Sequence, residues 1–302
     1  MSSQEASSPE ALAGRIAQGD VRALARAATL VENRAPESVA LLRRLFPLAG
    51  RALIVGITGA PGAGKSTLAG ALIRQARLRQ LRVAVVAVDP TSPFTGGAIL
   101  GDRVRMQDHY ADGGVFIRSM ATRGRLGGLA AATADMTLLL DAAGFDLILV
   151  ETVGVGQDEI DIARLAAVTV VVLVPGMGDG VQAIKAGLFE IAGLFAINKA
   201  DHPGTDQFEQ ELRETLALGP RETPILRTVG TTGAGAAELL EAMRGQAARA
   251  PNPPWEHRLR EMFRERVAER LPLEELRSAA AAVESRQSDP YSVVDRWLER
   301  YT

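Results

Sequence analysis

Apolar positions along the chain follow two rhythms, and the change from one to the other divides it. From Pro9 onward, Leu12, Ile16, Leu24, Ala28 and Val31 recur at intervals of three, four and eight. That spacing predicts amphipathic helix, with proline in the first turn as its start signal and Gly19-Asp20 as a break into two. A further piece over 37–46 follows Pro36 and carries Val39, Leu42, Leu45 and Phe46. Residues 1–50 therefore read as a helical extension.

From Arg51 the period shortens. Apolar, β-branched runs over 53–58, 82–88, 115–118, 145–150, 168–174, 194–197 and 225–229 alternate with helical segments over 65–80, 127–143, 182–191, 207–216 and 235–248. Strands that are apolar at nearly every position, with helices between them, predict a parallel sheet covered on both faces. The expected fold class is α/β: a doubly wound, mostly parallel sheet over 51–250, with helical extensions at both ends. Ala250-Pro251-Asn252-Pro253-Pro254 has the composition of a stiff linker. Residues 251–302 then form a carboxyl-terminal segment with three helices, over 255–270, 273–284 and 291–300, and no strand signal. Its Met262, Phe263, Val267, Leu276, Trp297 and Leu298 suit either packing on the central domain or an interface with a second copy.

Composition removes several classes of function. The 302 residues are 47% hydrophobic and 23% charged, enough to bury a sizeable core. Thirty-four basic against thirty-six acidic residues leave a net charge of -2, so no basic field draws nucleic acid. With no cysteine, disulfides, thiolate zinc sites and cysteine nucleophiles are excluded. The polar, acidic start MSSQEASSPE has no basic and apolar leader pattern, and no apolar run approaches the roughly 20 residues that span a bilayer. A cytoplasmic location away from membranes is the expectation.

Three motifs carry chemistry. Gly59-Ala60-Pro61-Gly62-Ala63-Gly64-Lys65-Ser66-Thr67 follows a predicted strand and opens a predicted helix, the context a phosphate-binding loop requires. Its glycines let backbone N–H groups turn inward, the helix amino terminus adds positive potential, Lys65 reaches the β/γ oxygens, and Ser66 is the expected Mg2+ ligand. Asn198-Lys199-Ala200-Asp201 ends a later strand. Asp201 can accept from guanine N1–H and the 2-amino group, donors that adenine lacks, while Asn198 and Lys199 brace base and loop. GTP/GDP is thus favoured over the adenine nucleotides.

The third motif, Glu151-Thr152-Val153-Gly154, closes the run that starts at Phe145. Glu151 is placed to meet Mg2+ directly or through water, and Gly154 to offer its N–H to the γ-phosphate. In Ras-type proteins a glutamine directly follows the equivalent glycine. Here that residue is Val155, with Gln157 two places on, so slow unaided hydrolysis is expected. Asp89 at a strand end and Asp102 are further candidate Mg2+ ligands, and Arg103, Arg105, Arg118, Arg123 and Arg125 make this half locally basic.

Several longer runs resemble one family. Asp89-Pro90-Thr91-Ser92-Pro93-Phe94-Thr95-Gly96-Gly97-Ala98-Ile99-Leu100-Gly101-Asp102-Arg103, Ile117-Arg118-Ser119-Met120, and Glu151 through Gln157 are similar to the MeaB/ArgK group of P-loop GTPase metallochaperones. The resemblance implies a homodimeric GTPase chaperone that gates and protects cobalamin loading of an adenosylcobalamin-dependent acyl-CoA mutase, most often methylmalonyl-CoA mutase. The adenosyltransferase is a further candidate partner. By motif match, Lys65, Glu151 and Asp89 become the catalytic set, and Ser66, Asp89, Asp102 and Glu151 the metal set. The stretch 178–187 matches an additional switch, with Gly180 where the family has an acidic residue. Where the family has Ser-Ala in its base loop, this chain has Val229-Gly230 followed by Thr231, and a backbone N–H there is expected to serve guanine O6. Two other classes stay open: a metal-insertion GTPase of related fold, and an ArgK-like ATPase or kinase.

Overall fold

The computed structural model describes residues 8–89, 109, 111–121, 128–152, 158–176, 186–219, 222–248 and 255–301. They divide into two compact units, Met1–Pro253 and Pro254–Thr302.

The first unit is built on seven parallel strands: β1 (Leu53–Thr58), β2 (Val83–Asp89), β3 (Val115–Ala121), β4 (Leu147–Thr152), β5 (Val168–Leu173), β6 (Leu194–Ile197) and β7 (Ile225–Arg227). Their order is β3-β2-β4-β1-β5-β6-β7. β1 is central, with β4, β2 and β3 on one side of it and β5, β6 and β7 on the other. In such sheets ligands bind beyond the carboxyl ends of the strands, at the point where the strand order reverses. That point is the end of β1, where the glycine-rich loop begins.

The pleat sends alternate side chains to opposite faces. In β2, Ala84, Val86 and Val88 enter one apolar cluster, while Val83 and Val85 enter another. The second cluster also takes Leu68, Leu72 and Ile73 from α4 (Lys65–Leu78), and Leu239, Leu240 and Met243 from α9 (Ala236–Ala247). Beyond β5 a third cluster joins Phe195 and Ile197 to Leu188 of α7 (Ala186–Ile191) and to Phe208 and Leu212 of α8 (Thr205–Ala217).

The first cluster explains the amino-terminal helices. α5 (Gly128–Ala142) is apolar on nearly all sides, and such a helix is stable in water only when covered all round. α1 (Pro9–Ala17), α2 (Val21–Glu32) and α3 (Pro36–Leu45) supply that cover. Leu12, Ile16, Leu24, Val31, Leu41 and Leu45 pack in one cluster with Met136, Leu139 and Leu140. Asp20 caps α2, accepting from the N–H groups of Arg22 and Ala23, so the predicted Gly19-Asp20 break is a helix start. A buried carboxylate fastens the chain where it enters β1. Asp141 accepts from Gly50, Arg51 and Ala52 N–H at 2.5, 3.1 and 3.0 Å.

Differences from the expected elements are local. An eight-residue helix, α6 (Asp158–Leu165), stands between β4 and β5 where the pattern predicted none. β3 continues past Arg118 because Ser119, Met120 and Ala121 pair with Ala87, Val88 and Asp89. Arg118 itself is held by Glu32 of α2, with Nε 3.0 Å from the carboxylate.

The second unit comprises α10 (Trp255–Arg270), α11 (Leu273–Glu284) and α12 (Pro290–Tyr301). Glu275 of α11 ties in α12: it accepts from Trp297 Nε1 at 3.1 Å and from the Tyr301 hydroxyl at 2.7 Å. Arg270 of α10 donates to the Tyr301 carbonyl at 3.0 Å. Among the described residues, no helix is long and apolar enough to cross a membrane.

Candidate functional site

The loop from Gly59 to Gly64 has the backbone its glycines allow. Gly59, Gly62 and Gly64 all have positive φ. At Gly59 a side chain is impossible, since a Cβ would lie 2.2 Å from the Val172 carbonyl oxygen of β5. Gly64 starts α4 in the left-handed conformation, and no side chain caps that helix. Its amino terminus therefore faces the loop with the positive end of its dipole, a setting that favours anions. The Lys65 ammonium, buried, spans the loop and donates to Gly59 O at 2.8 Å and Ala60 O at 3.1 Å.

β4 brings Glu151 to the same edge. It sits beside Ile57 of β1 and Ala87 of β2 in the sheet register, and it is buried. The Ser66 hydroxyl donates to Glu151 Oε1 at 2.6 Å. One residue on, Thr152 donates to Thr58 at 3.1 Å, bonding the ends of β4 and β1 to each other. Asp89 is the last residue of β2, two positions beyond the neighbour of Glu151, so its main chain ends at the same rim. Asp102, Gly154, Gln157 and residues 178–185 lie outside the described residues.

The other side of β1 carries the second motif. Asn198 leaves β6 and is buried. Its Nδ2 donates to Ala63 O at 2.9 Å and Gly64 O at 3.4 Å, and its Oδ1 accepts from Gly230 N–H at 3.0 Å and Thr228 Oγ1 at 3.3 Å. Both amide donors and both acceptor lone pairs are used, the full capacity of the side chain. Asn198 thus clasps the phosphate-type loop to the segment after β7. Lys199 adopts a left-handed backbone and donates to Gly62 O at 3.1 Å. Asp201 follows, exposed, on a turn fixed by Ala200 N–H to Thr228 O at 3.0 Å. Val229 pairs with Ala234, closing a loop that contains Gly230 and Thr231.

The structure thus brings together Lys65, Ser66, Glu151, Asn198, Lys199 and the 228–231 segment, with Asp201 on the adjoining turn. Two contacts were not legible in the motifs: the Thr58–Thr152 pair, and the engagement of the Gly230 N–H by Asn198.

Comparison with known proteins identifies the family. The profile of the family described as "Methylmalonyl Co-A mutase-associated GTPase MeaB" matches residues 24–283. A protein of Pyrococcus horikoshii named as a GTPase is 48% identical over 307 residues, covering 95% of this chain and 96% of its own. The mitochondrial methylmalonic aciduria type A homolog of Mus musculus is 34% identical over 251 residues, 76% of this chain and 60% of that one. A crystal structure described as a LAO/AO transport system kinase superposes with a TM-score of 0.68 at 27% identity, covering 99% of this chain and 98% of that one. A phosphate-type loop clasped to an N-K-x-D turn, on a chain so matched, makes this protein a GTPase and a member of the MeaB family of methylmalonyl-CoA mutase-associated GTPases.

Proposed function

We propose that this GTPase is a nucleotide-driven chaperone for an adenosylcobalamin-dependent acyl-CoA mutase, methylmalonyl-CoA mutase in the first place. The observation that carries the reading is the family match across residues 24–283, whose description names that mutase. The relative named for methylmalonic aciduria supports it.

In this reading GTP lies along the carboxyl edge of the sheet. Residues Gly59 to Thr67 wrap the phosphates, and Lys65 compensates the charge that gathers on the β/γ oxygens. Gly154 offers its N–H to the γ-phosphate. Asp201 reads the guanine base, and Asn198, Lys199 and the Val229-Gly230-Thr231 segment hold its pocket in register with the phosphate loop.

The donor set suits magnesium. Ser66 and Glu151 present only oxygen atoms, buried and 2.6 Å apart beside the phosphate loop, and Mg2+ prefers oxygen ligands. Those two residues, with Asp89 on the neighbouring strand and Asp102, would hold it. Bound there, it supplies charge neutralisation to the β- and γ-oxygens. With Val155 directly after Gly154, the chain lacks the glutamine that orients water in Ras-type proteins, so the partner completes the site. A mutase that holds 89–102 or 178–187 against the γ-phosphate stabilises the transition state and, through the same contacts, gains a nucleotide-dependent grip. The carboxyl-terminal segment makes the homodimer, the adenosyltransferase is a second partner, and the cytoplasm is the site of action.

The test is retention of a purified cobalamin-dependent mutase on the tagged protein. Retention that differs between GTP and GDP is expected, and no retention with either nucleotide overturns the chaperone role. The superposed protein is named a transport system kinase; an ATP-dependent activity for this chain is separated by Asp201, since GDP should bind far more tightly than ADP.

A further inference from the structure

The last two residues of β4 are tied to the phosphate-loop arm from opposite faces of the sheet, because successive residues of a strand point to opposite sides. On one face Glu151 accepts from Ser66 of α4 at 2.6 Å. On the other, Thr152 donates to the hydroxyl of Thr58, the last residue of β1, at 3.1 Å. Both threonines are buried, so this bond is made where water is excluded.

The pair stands where two chains part. The register of β1 and β4 runs from Leu53–Leu147 to Ile57–Glu151, and the threonines are one step beyond it. Next to Thr58, Gly59 has a φ of 142° and lies against Val172 of β5, while the chain after Thr152 leads to Gly154. The flanking residues in the same row of the sheet are Val88 of β2 and Val171 of β5. Valine has the shape of threonine without the hydroxyl, and a buried polar pair can be exchanged for an apolar pair of equal shape at little cost. Packing alone therefore gives no reason for two hydroxyls in the middle of this row.

We propose that Thr58 and Thr152 are a positioning pair for GTP hydrolysis. Their bond fixes the phosphate loop, which begins directly after Thr58, against the arm that carries Gly154. The proposal rests on the γ-phosphate contact assigned to Gly154 above. Lys65 meets the phosphates from the first arm and the Gly154 N–H from the second, so the separation of the arms sets the geometry of the transferring group. A misplacement of about 1 Å is enough to slow a positioned reaction by orders of magnitude. GDP has no γ-phosphate and draws on the first arm alone, so its binding does not need the pair.

The experiment measures GTP turnover and GDP affinity in full-length Thr58→Val, Thr152→Val, the double valine variant and Thr152→Ser. Each valine variant should lower kcat about tenfold while GDP affinity stays within about twofold of the parental value. The double variant should be no slower than the slower single one, because both substitutions break the same bond. It leaves no buried hydroxyl without its partner, so it decides the matter should a single variant not fold. Thr152→Ser, which keeps the donor, should restore turnover to within about twofold of the parental rate. A double variant that turns over GTP at the parental rate, or that loses GDP affinity in step with kcat, overturns the proposal. Gly154→Ala tests the contact beneath it: turnover should be lost, and turnover at the parental rate would remove the γ-phosphate contact and this pair with it.

Discussion

The two compact units use their apolar side chains in opposite ways. In the first, Leu, Val, Ile and Met residues from every layer are buried in three clusters around the sheet. In the second, Val293 is buried, while Trp255, Leu259, Phe263, Leu273, Leu276, Tyr291, Val294 and Leu298 are all exposed, Phe263 at 61%. On α10, residues 255, 259 and 263 repeat every four positions, and on α12, residues 291, 294 and 298 follow the three-and-four spacing of one helical face. Contiguous apolar faces of this kind mark association surfaces. The first unit has the means to fold around its own core and carries the nucleotide chemistry. In the second, Glu275 and Arg270 join the helices, and the homodimer proposed above would use its apolar faces.

The largest expected effect tests where the chemistry lies. Lys65→Ala should cut GTP hydrolysis by about a hundredfold or more, since a preorganised charge at the transferring group is lost. Circular dichroism and sedimentation should stay unchanged; hydrolysis at the parental rate would remove the phosphate loop from the reaction.

Next comes the division itself. Deleting residues 255–302 should convert a dimer into a monomer that still binds GTP. Sedimentation showing a persistent dimer would place the interface in the first unit. Loss of folding would show that the segment completes the core.

Within the first unit, Leu139→Ala should cost about 2–5 kcal/mol in chemical denaturation, because the fully buried side chain leaves a cavity between α5 and the amino-terminal helices. A cost near zero would mean those helices do not cover α5 in solution. Asp201→Asn exchanges acceptors for a mixed amide and removes a charged partner worth about 1.5–3 kcal/mol per hydrogen bond, so guanine affinity should fall at least roughly tenfold. Xanthine nucleotides should gain correspondingly, and unchanged GTP affinity would remove Asp201 from the base pocket. The smallest effect on the nucleotide site belongs to the second unit: Leu259→Ala should leave GTP affinity at its parental value while shifting the monomer–dimer equilibrium toward monomer.

What the sequence discloses and what it withholds follow from how each feature is built. The strands are runs of residues buried on both faces, so β1, β5 and β6 were legible nearly to the residue. The phosphate loop and the N-K-x-D turn depend on residue types at fixed spacing and were equally plain. α6 was not: eight residues, beginning just after Gly154-Val155-Gly156-Gln157, are too few to display a period. Asp141 could not be singled out either, because its role arises only when Gly50, Arg51 and Ala52 come round to the end of α5. Likewise the sequence allowed a backbone donor for O6 near Val229-Gly230, but the prior claim of Asn198 on the Gly230 N–H exists only in three dimensions.

The central claim, a GTPase whose site is completed by its client, is tested most directly by one rate. Steady-state GTP hydrolysis by the full-length protein should be measured with and without a saturating adenosylcobalamin-dependent mutase. The expected result is a rise of roughly tenfold or more, a modest part of what a completed site can supply. Equal rates with the cognate mutase would contradict the claim.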